Sequence, residues 1–130
     1  IAFMGTLLVG TSARGLDMGP AQTLLWTELM AHSSTLSPTP IKVAFLFLLV
    51  GYGTKAGLAP LHGWLPDAHS QAPAPVSAMF SGFLLSTALY CISRYIPIVE
   101  AATGHAGWSH QILVFFGSLS IGVAAVFTLA

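Results

Sequence analysis

VAFLFLLVGYGTKAGLAPLHGWL, residues 43–65, decides the fold class. The run is predominantly apolar and meets the roughly 20-residue length that a helix needs to cross a bilayer, with Lys55 near its centre. A charge at that depth costs about 2.5–3.5 kcal/mol on insertion scales. A chain that keeps one pairs it, hydrates it or uses it to move protons. Pro60, Pro66, Pro73 and Pro75 follow. Each lacks a backbone donor and disfavours helix in the residue before it. The sequence therefore predicts a broken helix over 41–69, interrupted around Gly57–Pro60, resuming near Leu61–Ala68 and turning through Ser70–Pro75. Non-helical backbone at membrane depth survives only inside protein or beside a watered cavity. Broken helices mark ion and substrate sites in transporters, so the break and the lysine point to one place.

Composition agrees. Of 130 residues, 55% are hydrophobic and 6% charged, against about 25% charged in soluble domains. The chain reads as an all-α integral membrane protein, a piece of a polytopic transmembrane helix bundle. No alternating pattern suggests barrel strands, and in lipid a helix satisfies its own backbone polar groups. The apolar stretches predict the end of a transmembrane helix at 1–13, then spans at 41–59, 76–95 and 111–130. Ile1 opens and Ala130 closes inside such stretches, and a longer parent protein is expected. Ile1–Ala13 lacks the basic flank of a signal peptide. Residues 19–34 predict a short amphipathic helix with Pro20 in its first turn. Leu24, Leu25, Trp26, Leu29 and Met30 form its apolar face, set either at the membrane interface or packed on the bundle as a loop helix. Four Lys+Arg balance four Asp+Glu, leaving no basic patch for nucleic acid. The single cysteine, Cys91, reads as a small packed apolar residue.

Several side chains are candidates for chemistry. Gly82, Ser86 and Tyr90 recur every four residues, with Arg94 one turn further and Ser77 and Ser81 on a neighbouring row. Such a face serves close helix packing or lines a water path. GYGTKAG resembles a phosphate loop only superficially, since no strand precedes it and no Gly-Lys-Ser/Thr is present. Gly53 and Gly57 predict a close helix contact instead. His62 lies beyond the break; histidine titrates nearest neutral pH, which suits either a proton relay or a loop cap. His62, Asp67 and His69 lack the further ligands of a recognisable metal set, so neither metal nor cofactor is expected. Asp67 reads as a cap or an anchor of the turn, bound to a backbone N–H or to a basic residue. Trp64 reads as an interfacial ring, with Trp26 and Trp108 at the opposite boundary. Asp17, Glu28, Asp67 and Glu100 all fall outside the predicted spans. A carboxylate partner for Lys55 is therefore expected from outside this stretch or from another subunit. A desolvated lysine holds its proton less tightly and a nearby carboxylate restores the grip, a competition that allows uptake and release.

Residues 51–95, GYGTKAGLAPLHGWLPDAHSQAPAPVSAMFSGFLLSTALYCISRY, resemble the antiporter-like subunits of respiratory complex I. Such subunits also occur in multi-subunit cation/proton antiporters and membrane-bound hydrogenases. The motif runs from Lys55 through Pro60, Leu61, His62, Trp64, Leu65, Pro66, Asp67, Ala68, His69 and Ser70 to Ala72 and Pro73. GYGTKAGLAP and the small residues downstream look closest to the hydrogenase-4-type and formate hydrogenlyase branch. The resemblance implies a bundle of about fourteen helices with two inverted repeats. This chain would hold the end of the sixth helix, the seventh, the eighth and part of the ninth. It implies that Lys55 is a proton carrier in the broken seventh helix, that His62, Trp64, Pro66, Asp67 and His69 form the motif after the break, and that Arg94 closes the eighth helix. One position departs: the nearest complex I relatives carry a lysine in the eighth helix where this chain has Ser86. A hydroxyl cannot hold a proton as a cation, so the relay would run through water, Ser86, Tyr90 or His62, or through a lysine elsewhere.

The function implied is proton or cation translocation coupled to electron transfer, as in NADH:quinone oxidoreductase or membrane-bound hydrogenase, with no redox centre in this chain. The partners implied are other membrane subunits, the lipid bilayer, and protons or small cations. The implied location is a bacterial or archaeal inner membrane, crossed several times. Two alternatives stand beside it. One is a cation/proton antiporter without a redox partner. The other is a scaffold in which Lys55 only pairs or snorkels. Arg14, Lys42 and Arg94 fall on one side of the alternating spans, which the positive-inside rule makes cytoplasmic. The family topology instead turns HGWLPDAH to the cytoplasm, and that is the orientation adopted.

Overall fold

The computed structural model describes residues 1–14, 19, 22–104 and 107–129. Asp17, Pro20 and Ala130, named above, lie outside them. The described helices are α1 (Ala2–Ser12), α2 (Trp26–Ala31), α3 (Pro38–Ala56), α4 (Trp64–Gln71), α5 (Ala74–Met79), α6 (Leu85–Thr103) and α7 (Trp108–Leu129). Among the described residues there is no strand, so the all-α fold holds.

The break after Lys55 is present. Pro38 stands in the first turn of α3, where its missing N–H costs nothing. The helix ends at Gly57, whose φ of 74° is left-handed, a conformation glycine reaches without a Cβ penalty. Both Gly57 and Leu58 donate their N–H groups back to the Gly53 carbonyl. The chain then turns through Leu58–Gly63, and α4 starts at Trp64, three positions later than the expected Leu61.

The expected span at 76–95 is part of a longer element. α5, a π turn at Phe80–Leu84 and α6 form one 30-residue helix, Ala74–Thr103. At about 1.5 Å per residue it reaches roughly 45 Å, beyond the roughly 30 Å hydrocarbon core. It continues past Tyr95 through Pro97, a proline of the kind membrane helices tolerate. This helix and the 22-residue α7 are long and apolar enough to cross a membrane.

Among the described residues of 19–34, no single helix runs through the segment. Gln22–Leu24 and Ser33–Thr35 are single 3-10 turns flanking the six-residue α2, and Leu25 between them is extended. Side chains compete with the helix here. Ser33 Oγ donates to the Met30 carbonyl at 2.9 Å, and Thr35 Oγ1 to that of His32 at 2.7 Å. Leu29 is buried against the bundle, so the segment packs as a loop helix.

α3 is the centre of the packing. Ile41, Ala44, Phe45, Leu48 and Leu49 meet Val9 of α1 and Ile92, Ile98 and Val99 of α6 in one buried cluster. α1 runs antiparallel to α3 at backbone contact. A Cβ on Gly51 would lie 2.6 Å from the Ala2 nitrogen, and one on Gly5 2.7 Å from Leu48 Cγ. These two glycines make the close crossing, whereas Gly53 faces Leu58 and Gly57 forms the turn. By contrast, α4, α5 and the π turn bury no residue, and α7 buries only Ser109. Phe83, Phe115, Ile121 and Phe127 stand exposed, a surface suited to lipid or further helices.

One acid joins α6 to α7. Glu100 Oε1 accepts from Ser109 Oγ at 2.8 Å, His110 Nδ1 at 2.7 Å and the Gly107 N–H at 3.3 Å. His110 is largely exposed, so its ion pair contributes little, but Ser109 is fully buried. Glu100→Ala strands that hydroxyl and should cost about 1–3 kcal/mol, read as a lowered unfolding temperature of the purified subunit; His110→Ala should leave it nearly unchanged.

Candidate functional site

Lys55 sits in the last turn of α3, one residue before the helix ends. Carbonyls there carry the negative end of the helix dipole, which favours a cation. The Thr54 carbonyl accepts the Trp64 indole N–H at 2.7 Å, so the first residue of α4 satisfies an orphan acceptor at the end of α3. The same indole turns its face to Lys55, with Nζ 5.6 Å from a ring centroid. Among the described residues Lys55 makes no ion pair.

The lysine, itself exposed, borders an open cavity of about 190 Å³ shared with Tyr52, Phe83, Leu84, Thr87, Ala88 and Cys91. Phe83 and Leu84 come from the π turn. π turns recur at functional sites within α-helices. The row that meets the Lys55 cavity is Phe83, Thr87 and Cys91, with Leu84 and Ala88 beside it, and not Gly82, Ser86 and Tyr90. Ser86 is exposed and does not border the cavity. Tyr90 is exposed too, beside Arg94, whose guanidinium lies 5.7 Å from its ring and 3.6 Å from that of Trp26. The Trp26 N–H donates to the Arg94 carbonyl at 2.9 Å.

His62 faces elsewhere. It borders an open cleft of about 530 Å³ with Gly57, Ala59, Gly63, Pro66, Ser120, Ala124 and Phe127. Its Nδ1 is buried without a hydrogen-bond partner. Ser120 Oγ ties α7 to the break, accepting the Ala59 N–H at 3.0 Å and donating to the Phe116 carbonyl at 2.8 Å. His69 joins α4 to α5 through a 2.6 Å contact with Ser77 Oγ and meets Phe80 edge-on. Asp67 lies exposed in the first turn of α4, where the helix N-terminal dipole suits its charge. Pro60 lies in the break and Pro73 precedes α5. Thus the structure joins Lys55 to Trp64 and sets His62 on a separate cleft. Ser86 and Tyr90 join neither. Tyr52, Thr87 and Cys91 are the neighbours that sequence reasoning missed. Among the described residues no three His, Cys, Asp or Glu side chains converge as a metal site.

Residues 3–130 match the family described as NADH:quinone oxidoreductase/Mrp antiporter, TM. The chain belongs to this family. Its relatives bear out the resemblance drawn from residues 51–95. It is 43% identical to a hydrogenase-4 component F homolog of Methylacidiphilum infernorum over 97% of this chain and 26% of that protein. It is 32% identical to hydrogenase-4 component B of Escherichia coli K12, over 95% of this chain and 17% of the relative. It is 34% identical to NADH-quinone oxidoreductase subunit M of Pseudomonas aeruginosa, over 92% and 23% respectively. The chain thus spans about a quarter or less of these relatives' length. No solved structure matches. Family and helices together make this an integral membrane protein.

Proposed function

We propose that this chain is part of a multi-pass subunit that moves protons, or small cations, within a membrane-bound oxidoreductase complex, and that Lys55 carries the proton. Redox chemistry belongs to other subunits, and none of it to this chain. Bacterial relatives support an inner-membrane setting. The observation that carries the reading is Lys55 at the end of a helix broken by its own proline motif, beside a small cavity. Depth supports it. Lys42 packs over Trp108, 5.4 Å from a ring centroid, a pairing suited to an interface. Lys55 lies roughly 20 Å further along α3 at 1.5 Å per residue, inside a core about 30 Å thick.

His62 is a second proton-handling candidate, since its unpaired nitrogen borders an open cleft. Any path between it and Lys55 must cross the break, and Ser86 and Tyr90 offer no link between the two cavities within this chain. The hydrogenase and quinone oxidoreductase relatives favour a redox complex; the family also includes Mrp antiporters, which keeps the antiporter as the second reading. Affinity purification of the full-length subunit from native membranes separates the two. Hydrogenase or quinone-reductase subunits should co-purify, and recovery of antiporter subunits alone would overturn the redox assignment.

A further inference from the structure

We infer that Trp64 is the positioning residue for Lys55, holding its ammonium group against the helix break through the face of the indole. The inference deepens the proposed role of Lys55 and replaces the interfacial role that the sequence suggested for this tryptophan. Two observations meet on one side chain. The Lys55 Nζ lies 5.6 Å from a Trp64 ring centroid, within the range of about 6 Å at which an aromatic face attracts a cation. The indole N–H is bound to the carbonyl of Thr54, the residue next to Lys55, at 2.7 Å. The bond fixes where the ring sits relative to the lysine stem, and the ring face does the holding.

The surroundings leave that role open. The other groups bordering the Lys55 cavity are Tyr52 from α3 and Phe83, Leu84, Thr87, Ala88 and Cys91 from the π turn and α6. Of these, Tyr52 and Cys91 are titratable and neither is a carboxylate. The described residues thus offer the ammonium an aromatic face and the carbonyl end of α3. Trp64 belongs to α4 and Lys55 to α3, so the contact spans the break. Any movement of one half-helix against the other alters the hold on the lysine, which makes the contact a place where conformational change can act on Lys55.

A second pair supplies an internal reference. Lys42 lies over Trp108, 5.4 Å from a ring centroid, and shares no contact with Trp64. The full-length subunit, in its complex, is treated briefly with a membrane-permeant amine-acylating reagent at fixed pH. Labelling of Lys55 and Lys42 is then quantified by peptide mass spectrometry. Trp64→Leu should raise the Lys55-to-Lys42 labelling ratio several-fold, and Trp64→Phe, which keeps a ring face and loses the N–H, should hold the ratio near wild type. An unchanged ratio in Trp64→Leu would overturn the inference. A Trp64→Phe ratio equal to that of Trp64→Leu would also overturn it, assigning Trp64 to the carbonyl bond alone. Labelling does not depend on pumping. If a Lys55 variant translocates protons normally, the carrier reading fails and the labelling result is unaffected.

Discussion

Lys55→Arg should assemble at wild-type levels and translocate no protons. The substitution separates two roles that alanine would remove together. Arginine retains the positive charge at the dipole end of α3, where the last-turn carbonyls favour it. Guanidinium also stacks on aromatic faces, so the contact with Trp64 survives. What arginine loses is proton release, because it is not deprotonated in proteins. If Lys55 serves only to place a charge or to support the fold, Lys55→Arg works as wild type does. If it carries the proton, the variant is an assembled subunit that cannot cycle. Proton translocation normalised to subunit content, measured in membranes from cells carrying each variant, distinguishes the two.

Gly51→Val should be the most damaging change to the fold. The crossing of α1 and α3 brings backbones together. A Cβ on Gly51 would lie 2.6 Å from the Ala2 nitrogen, 2.7 Å from its Cβ and 2.8 Å from its Cα. Two of those atoms are main chain, so no rotamer change relieves the clash and the helices must separate. Overpacking of this kind costs about 1–3 kcal/mol, and separation also uncovers Val9 and Leu48, both buried at this crossing. Gly51→Val should lower the thermal stability of the purified subunit and its yield in membranes. Gly82→Val is the control, since a Cβ there meets nothing within 4 Å.

Signals that act locally are legible in the sequence, and those that depend on docking are not. The break is legible because Gly57 and Pro60 act through φ and a missing donor. The helix resumes later than expected, because α4 starts where the Trp64 indole reaches the Thr54 carbonyl, a contact between residues ten positions apart. The family motif is legible as a pattern of residue types. The lining of the Lys55 cavity is not, because spacing defines the rows of a helix and only docking decides which row meets α3. Small and hydroxyl residues single out the row of Ser86 and Tyr90; the neighbouring row of Phe83, Thr87 and Cys91 occupies the face instead. Gly53 and Gly57 suggest a helix contact by spacing, yet Gly51 and Gly5 make it, since the crossing point depends on how α1 docks. Glu100 is legible as an acid past a span, but its three donors arrive only once α7 has turned back. Trp64 shows the same limit: a tryptophan near a span end suits an interface, and only the fold turns its face to a lysine.

The role proposed for this site rests on Lys55 carrying a translocated proton. Redox-driven acidification in sealed vesicles, followed with a pH-sensitive dye, tests it most directly when the assembled complex holds Lys55→Met, which keeps an unbranched apolar side chain and removes the charge. Vesicles with wild-type subunit content and no pH gradient are the expected result. A gradient equal to wild type at equal subunit content would contradict the carrier role.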